Sequence, residues 1–474
     1  MAKIGQLHKN TMILFVADGI AAVFSILISI ILARGLGVED FGKFTAAVSF
    51  TYILVLAIDS GMGQFVAIDV AREDSLKISD VNQLFTWRIL LIVVLTLIAP
   101  FIIWMVLPSK VSIYVVCFLT PALCLVSLNE FFCWILKGTQ KFILSAWMRI
   151  LSVFLIFIFC LGVFWSPNKL MYTVFAYGAA GIIGSFVCFY LTSRFATRMR
   201  LVSLDKIFFI KVLPEVYKIT PYIIASTIFT RFDVVLVAKY CDPSSTGFYS
   251  VASRLLDAMR LIPIAVYSVY LPVFSSVNMQ KGLLRNKFLD AFPILIFCYA
   301  VVALTATLFV EPLTGAVIGH QYTASVVYFR PLLWGCGIMY LNMLITALLF
   351  VCNDFKTLWV GIGFALIMNI ISNIILLPVY GAIAASWMKF ASELILFAVL
   401  SRGLLMQIHI SAYELYFKPA IIILFTIGAF KIMAGHPLIF KVPFNFAAMA
   451  VCFTIIFYKK TDMKGKMAAA DDIN

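Results

Sequence analysis

TMILFVADGIAAVFSILISIILAR, residues 11–34, decides the fold class. From Thr11 to Ala33 the single ionisable side chain is Asp18. About 20 apolar residues, rising 1.5 Å each, cross the roughly 30 Å hydrocarbon layer of a bilayer. The stretch is continuous and does not alternate with period two, so it reads as a membrane-spanning helix and not as a strand of a barrel. It is too long for a signal-peptide core, and no small-residue cleavage site follows it, so it reads as a retained span.

Outward from it the pattern recurs. Apolar runs lie at 11–34, 44–68, 88–107, 112–136, 150–166, 170–193, 213–238, 245–276, 291–312, 324–352, 357–379, 383–402, 418–434 and 442–458. Of the 474 residues 63% are hydrophobic and 12% charged, against about 45–50% and 25% in soluble domains. A water-soluble fold has too little polar surface to cover that much apolar surface. The expected fold is an all-α polytopic membrane protein of about 14 transmembrane helices.

Basic residues are retained on the cytoplasmic side, which sets the orientation. With the amino terminus inside, the inside connections carry 23 Lys and Arg and the outside ones seven. Arg149 counts among the inside set, and both termini are expected in the cytoplasm. The net charge of +14 is thus a topology signal and an attraction to anionic lipid headgroups, with no nucleic-acid partner implied. Nine of the ten cysteines lie in or at the ends of apolar runs, and none forms a Cys-x-x-Cys pair. They read as packing residues, with no disulfide, metal or cofactor expected.

The chain repeats. Leu32-Ala33-Arg34, Gly42-Lys43-Phe44 and Ala47 match Val237-Ala238-Lys239, Gly247-Phe248-Tyr249 and Ala252 at a constant offset of 205. A weaker echo pairs Lys137 to Phe142 with Val351 to Lys356 at an offset near 213. Six spans per copy is an even number, so the copies keep the same direction in the membrane and form a parallel repeat. The expected organisation is a six-helix lobe at 1–195, a basic cytoplasmic linker at 196–212, a second six-helix lobe at 213–405, and two further helices with a basic tail at 406–474.

On these residues a family resemblance rests. Ile31 to Gly37 with Phe41-Gly42 resembles the end of the first span in O-antigen flippases, polysaccharide transporters of the multidrug/oligosaccharidyl-lipid/polysaccharide exporter superfamily. Asp59-Ser60-Gly61-Met62-Gly63 is similar to that family's motif late in span 2. Arg231-Phe232-Asp233 with Gly247 to Leu255 resembles its signature in spans 7 and 8, and Tyr380 to Ala385 its entry to span 12. The resemblance covers about residues 10–405 and implies two lobes around a central cavity, alternating access, and an undecaprenyl-pyrophosphate oligosaccharide as cargo in the bacterial inner membrane. Polysaccharide polymerase and chain-length machinery are the expected partners, and no enzyme activity is expected, because the outside connections are too short to carry a set of catalytic groups. Many relatives stop at 12 spans, so the last two helices depart from the pattern.

An ionisable side chain at mid-span costs roughly 2.5–3.5 kcal/mol on insertion scales, so each one calls for a wet cavity or a partner. Arg254, Asp257 and Arg260 in span 8 are spaced by three and share one stripe. With Arg231 and Asp233 of span 7, Arg330, and Lys389 of span 12, they are the candidate cavity residues, since guanidinium binds a pyrophosphate in bidentate fashion. The competing account makes the stripe a set of structural ion pairs between packed helices. Pro263 gives span 8 a place to bend. Asp18, Asp59 and Glu393 are the candidates for ion coupling, because a buried carboxylate without a partner takes up a proton or cation. Lys389 and Glu393, one turn apart, also read simply as a mutual pair, and Glu130 of span 4 joins the charged residues to be placed. A lipid-linked peptidoglycan precursor flippase of 14 spans is the runner-up function, ahead of a drug exporter or a membrane glycan polymerase.

Overall fold

The computed structural model of the chain describes residues 2–59, 78–106, 113–206, 210, 220–277, 280–408, 410, 413–433 and 443–454. Among these residues there is no strand, and the elements are α-helices with short 3₁₀ and π turns. In order they are α1 (Ala2–Asp59), α2 (Ile78–Val106), α3 (Ile113–Gly138), α4 (Phe142–Leu161), α5 (Lys169–Phe195), α6 (Thr220–Tyr240) and α7 (Pro243–Met259). Then follow α8 (Leu261–Val277), α9 (Lys281–Leu313), α10 (Ser325–Val351), α11 (Phe355–Tyr380), α12 (Ile383–Gln407), α13 (Lys418–Met433) and α14 (Pro443–Thr454). Among the described residues, eleven stretches are long and apolar enough to cross a membrane, and α13 and α14 add two shorter apolar helices. The protein is therefore an all-α polytopic membrane protein.

Two expected boundaries differ in an instructive way. Spans 1 and 2 run on as α1, whose apolar part Met12–Leu56 covers 45 residues, about 68 Å and twice the hydrocarbon thickness. The break that divides it is Gly37, at φ 79° and ψ 175°, a backbone state that glycine enters without a steric penalty. Span 8 is instead cut in two at Arg260, between α7 and α8. Pro263 stands in the first turn of α8, where a missing N–H costs no helical hydrogen bond. The bend expected at this proline is a helix start.

The chain divides into two compact units that interleave along the sequence: Met1–Arg254, Val317–Tyr322 and Ile370–Ala385 in one, Leu255–Ala316, Thr323–Asn369 and Ser386–Asn474 in the other.

In the first unit the two copies of the offset-205 motif meet each other. Thr45 and Ser250, equivalent positions, share a buried hydroxyl hydrogen bond of 2.7 Å. A Cβ on Gly42 would run into the Pro243 carbonyl oxygen, and one on Gly247 into the Val38 carbonyl oxygen. Val38 and Pro243 are themselves 205 apart, so the contact maps onto itself when the copies are exchanged. Small residues that let two backbones touch are the usual device where lipid supplies no hydrophobic drive between helices. Tyr322 seals the crossing, with its ring edge-on to Phe41 and Phe248 and its hydroxyl donating to the Ala33 carbonyl at 2.9 Å.

Asp242 caps the start of α7, accepting the Ser245 N–H at 2.8 Å and the Ser245 hydroxyl at 2.7 Å. Burial alone would raise its carboxyl, but the hydrogen bonds from Ser245 outweigh it and hold the group below the ordinary carboxylate value. A depressed carboxylate stabilises the fold above its unfolded pKa and loses that contribution as the pH falls through the folded one.

The weaker echo is also built alike in both places. After α3, Thr139, Gln140 and Lys141 donate to the carbonyls of Ile135, Lys137 and Leu136, and after α10, Cys352, Asn353 and Asp354 donate to those of Leu348, Phe350 and Leu349. Every donor and acceptor is 213 positions from its counterpart. Gln140 and Asn353 take the left-handed φ, at 60° and 56°, that ends a helix in this way.

Because their added methyls would strike backbone oxygens, Gly42→Ala and Gly247→Ala should each cost about 1–3 kcal/mol. That cost reads out as a lower melting temperature of the purified protein in detergent. Gly363→Ala in α11, with nothing within 4 Å of the new Cβ, should leave the melting temperature equal or raise it. Equal losses at all three positions would defeat the close-crossing assignment.

Candidate functional site

In the first unit, Arg231 and Asp233 stand on α6 and Arg254 near the end of α7. Asp233 is 2% exposed, and its carboxylate accepts the Tyr249 hydroxyl at 2.7 Å and the Val234 N–H at 2.9 Å. Tyr249 belongs to the Gly247-Phe248-Tyr249 motif and is fully buried. The two signature segments are thus joined by a phenol–carboxylate hydrogen bond between α6 and α7. Arg254 is half-buried, and its charge acts on the Tyr177 hydroxyl of α5.

Asp18 has a partner that its own helix does not supply. It lies 2.5 Å from Arg149 Nε, and Arg149 Nη1 donates to Glu130 at 3.3 Å. Arg149 was expected in an inside connection, but Phe142–Leu161 is helical and carries it into the span of α4. Two carboxylates from α1 and α3 therefore share one guanidinium from α4. All three are partly open, Asp18 at 55% and Glu130 at 48%. Pairing with one another is what makes three such charges tolerable within spans. Asp59 ends α1 with its side chain outside the described residues, as are Ser60 to Gly63 of its motif.

In the second unit, Asp257 and Arg260 face each other across the α7–α8 break, Arg260 Nη1 lying 3.5 Å from Asp257 Oδ1. Arg260 Nε also donates to the Met339 sulfur of α10 at 3.0 Å. Lys389 and Glu393 on α12 are 3% and 4% exposed. Glu393 accepts from Asn342 Nδ2 of α10 at 2.8 Å, and the charges of Lys389 and Arg260 both act on its carboxylate. Asp257, Arg260, Lys389 and Glu393 thus gather around α10 as two cations and two anions. Arg330 is apart from them and pairs with Glu311 of α9 at 3.4 Å.

Asn342 escaped the reading of charges because it carries none. The repeat points to it: 213 residues earlier, Asn129 holds Ser152 of α4 at 3.2 Å and Ser185 of α5 at 2.9 Å. Each asparagine ties the fourth span of its copy to later ones by hydrogen bonds. Such bonds between membrane helices contribute about 0.6 kcal/mol each, up to about 1.7.

Glu393→Ala leaves the Lys389 ammonium buried beside one anion fewer and should cost about 3–5 kcal/mol. The double change Lys389→Met/Glu393→Met should recover most of that loss, measured as melting temperature and as folded yield in membranes. A double variant no better than Glu393→Ala would mean that the two charges do not compensate each other.

Residues 7–278 match the model of a family described as polysaccharide biosynthesis protein. Among solved structures, the lipid II flippase MurJ in an inward closed conformation is similar at a TM-score of 0.75 and 16% identity, over 95% of this chain and all of that one. An inward-facing multidrug resistance MATE family transporter of the MOP superfamily gives 0.66 at 12% identity, over 81% and 94%. A MOP superfamily transporter from Pyrococcus furiosus gives 0.60 at 13% identity, over 85% and 94%. At these identities the likeness is one of fold. No curated protein is similar enough in sequence to count as a relative.

Proposed function

Because the chain belongs to the polysaccharide biosynthesis protein family, we propose that it is a flippase for an undecaprenyl-pyrophosphate-linked oligosaccharide. It carries the repeat unit of an O-antigen or a related surface polysaccharide from the cytoplasmic to the periplasmic leaflet of the inner membrane. The observation that carries this reading is the family match itself, which extends over more than half of the chain. The guanidinium groups of Arg231 and Arg254, with Arg260 beside Asp257, suit a pyrophosphate better than a cationic drug. Alternating access between the lobes 1–195 and 213–405 does the transport, with the self-equivalent contact at Thr45 and Ser250 as one closed end of the path. Asp18, in contact with Arg149, is the first candidate for ion coupling, with Asp59 and Glu393 after it. Polymerase and chain-length proteins take over the product outside.

A second reading has its own support. The fold of the lipid II flippase is shared over the whole of that chain, which favours a lipid-linked peptidoglycan precursor as the alternative cargo.

Complementation separates the two. The chain should restore surface polysaccharide to a strain that lacks its polysaccharide flippase, and Arg254→Ala or Arg260→Ala should reduce that export by about tenfold or more at equal membrane levels. Rescue of a lipid II flippase deletion without rescue of polysaccharide would overturn the cargo, and undiminished export by both arginine variants would overturn the site.

Cross-linking tests the cycle. In Thr45→Cys/Ser250→Cys the sulfurs replace hydroxyls already 2.7 Å apart, within reach of a disulfide after small backbone shifts. Oxidation should stop export and reductant restore it, whereas full export by the oxidised, cross-linked protein would show that this contact never opens.

A further inference from the structure

Between α5 and α6 the chain leaves the helical pattern, and residues 197–205 run without regular secondary structure. The segment is nevertheless held along its length. Backbone N–H groups of Arg200, Val202 and Asp205 donate to Asn82 Oδ1 at 3.0 Å, Thr86 Oγ1 at 3.0 Å and Gln83 Oε1 at 3.1 Å. All three acceptors stand on the first turns of α2, and Met199 is buried with Leu84, Phe85 and Phe132. The apolar span of α2 begins at Val81, so the segment crosses α2 within about 8 Å of the end of that span. That is the depth of the headgroup and acyl boundary. Irregular backbone that dips below that boundary needs its donors met by protein, and here α2 supplies acceptors for three of them.

The outward side is as particular. Arg198, Arg200 and Lys206 are exposed, and among the described residues none of them enters an ion pair. Interleaved with them, Phe195, Leu201 and Leu204 are exposed apolar side chains, Leu201 at 67%. From Arg194 to Lys206 there are four basic residues and one acidic one.

We propose that this strap is a binding surface for anionic phospholipid of the leaflet at the cytoplasmic end of α2. Its arginines and lysine bind headgroup phosphates, while Leu201, Leu204 and Phe195 enter the acyl boundary. The strap's donors are received within about one turn at the end of α2, at the headgroup boundary where the leaflet's own phosphates lie, and its exposed apolar side chains match the acyl boundary beside them. The occupant is therefore the leaflet and not the cargo. The connection between the two repeat copies is in this way fastened to the membrane surface, a role independent of which lipid-linked sugar is moved.

The test uses the full chain in vesicles of phosphatidylcholine, alone or mixed equally with phosphatidylglycerol. Trace photoactivatable phosphatidylglycerol or photoactivatable phosphatidylcholine is added, and adducts are mapped by mass spectrometry. Adducts on residues 195–206 should favour phosphatidylglycerol, and the preference should fall about fivefold for each charge removed in Arg198→Gln, Arg200→Gln and Lys206→Gln. High salt should weaken it too. Adducts on the lipid-facing side of α11 serve as the internal reference for folding and should be unchanged. Equal labelling by the two probes, or a triple variant that keeps the preference, would overturn the proposal. So would displacement of the label by a small mole fraction of polyprenyl pyrophosphate, which would make the cargo the occupant.

Discussion

A peptide group inside hydrocarbon has no water to bond to, and everything else in this protein follows from that constraint. Each span must satisfy its own N–H and C=O groups, which leaves the helix as the local structure for run after run of apolar sequence. The same solvent removes the hydrophobic drive between helices. What remains to hold spans together is close packing at small residues and hydrogen bonds that have nowhere else to go. The Gly42 and Gly247 crossing is of the first kind, and Asn129, Asn342 and the Asp233–Tyr249 pair are of the second.

Charge is governed by the same solvent. An isolated ion in a span is costly, so ions are gathered into sets, and the composition of each set bears on what it does. Around α10, Asp257, Arg260, Lys389 and Glu393 balance, which gives weight to the account in which the span 8 stripe is structural at its Arg260 end. Arg254 is placed otherwise, near a tyrosine hydroxyl. The Asp18–Arg149–Glu130 set carries two carboxylates for one guanidinium and stays partly open.

Much of the fold was legible because bilayer thickness is a local ruler. Fourteen apolar runs, the glycines of the offset-205 motif and the turn after the fourth span of each copy all stand in the linear order. Repeats are visible in sequence when two places need the same backbone, as at Gln140 and Asn353. The site was less legible. Asp18 had no visible partner because Arg149 lies 131 residues on and stood at the edge of an apolar run. Lys389 and Glu393 could be paired by helical spacing, but Asn342, which completes Glu393, is uncharged and 51 residues away.

By itself, then, the amino-acid order determined the helices, their number and the parallel repeat, since these depend on hydrophobic length and backbone conformation within a few residues. Only the tertiary structure decided which charge meets which, that α1 breaks at Gly37 and span 8 at Arg260, and that the stretch after α5 lies strapped along α2. Partners drawn from helices far apart in sequence are chosen by three-dimensional packing, and no periodicity along the chain records that choice.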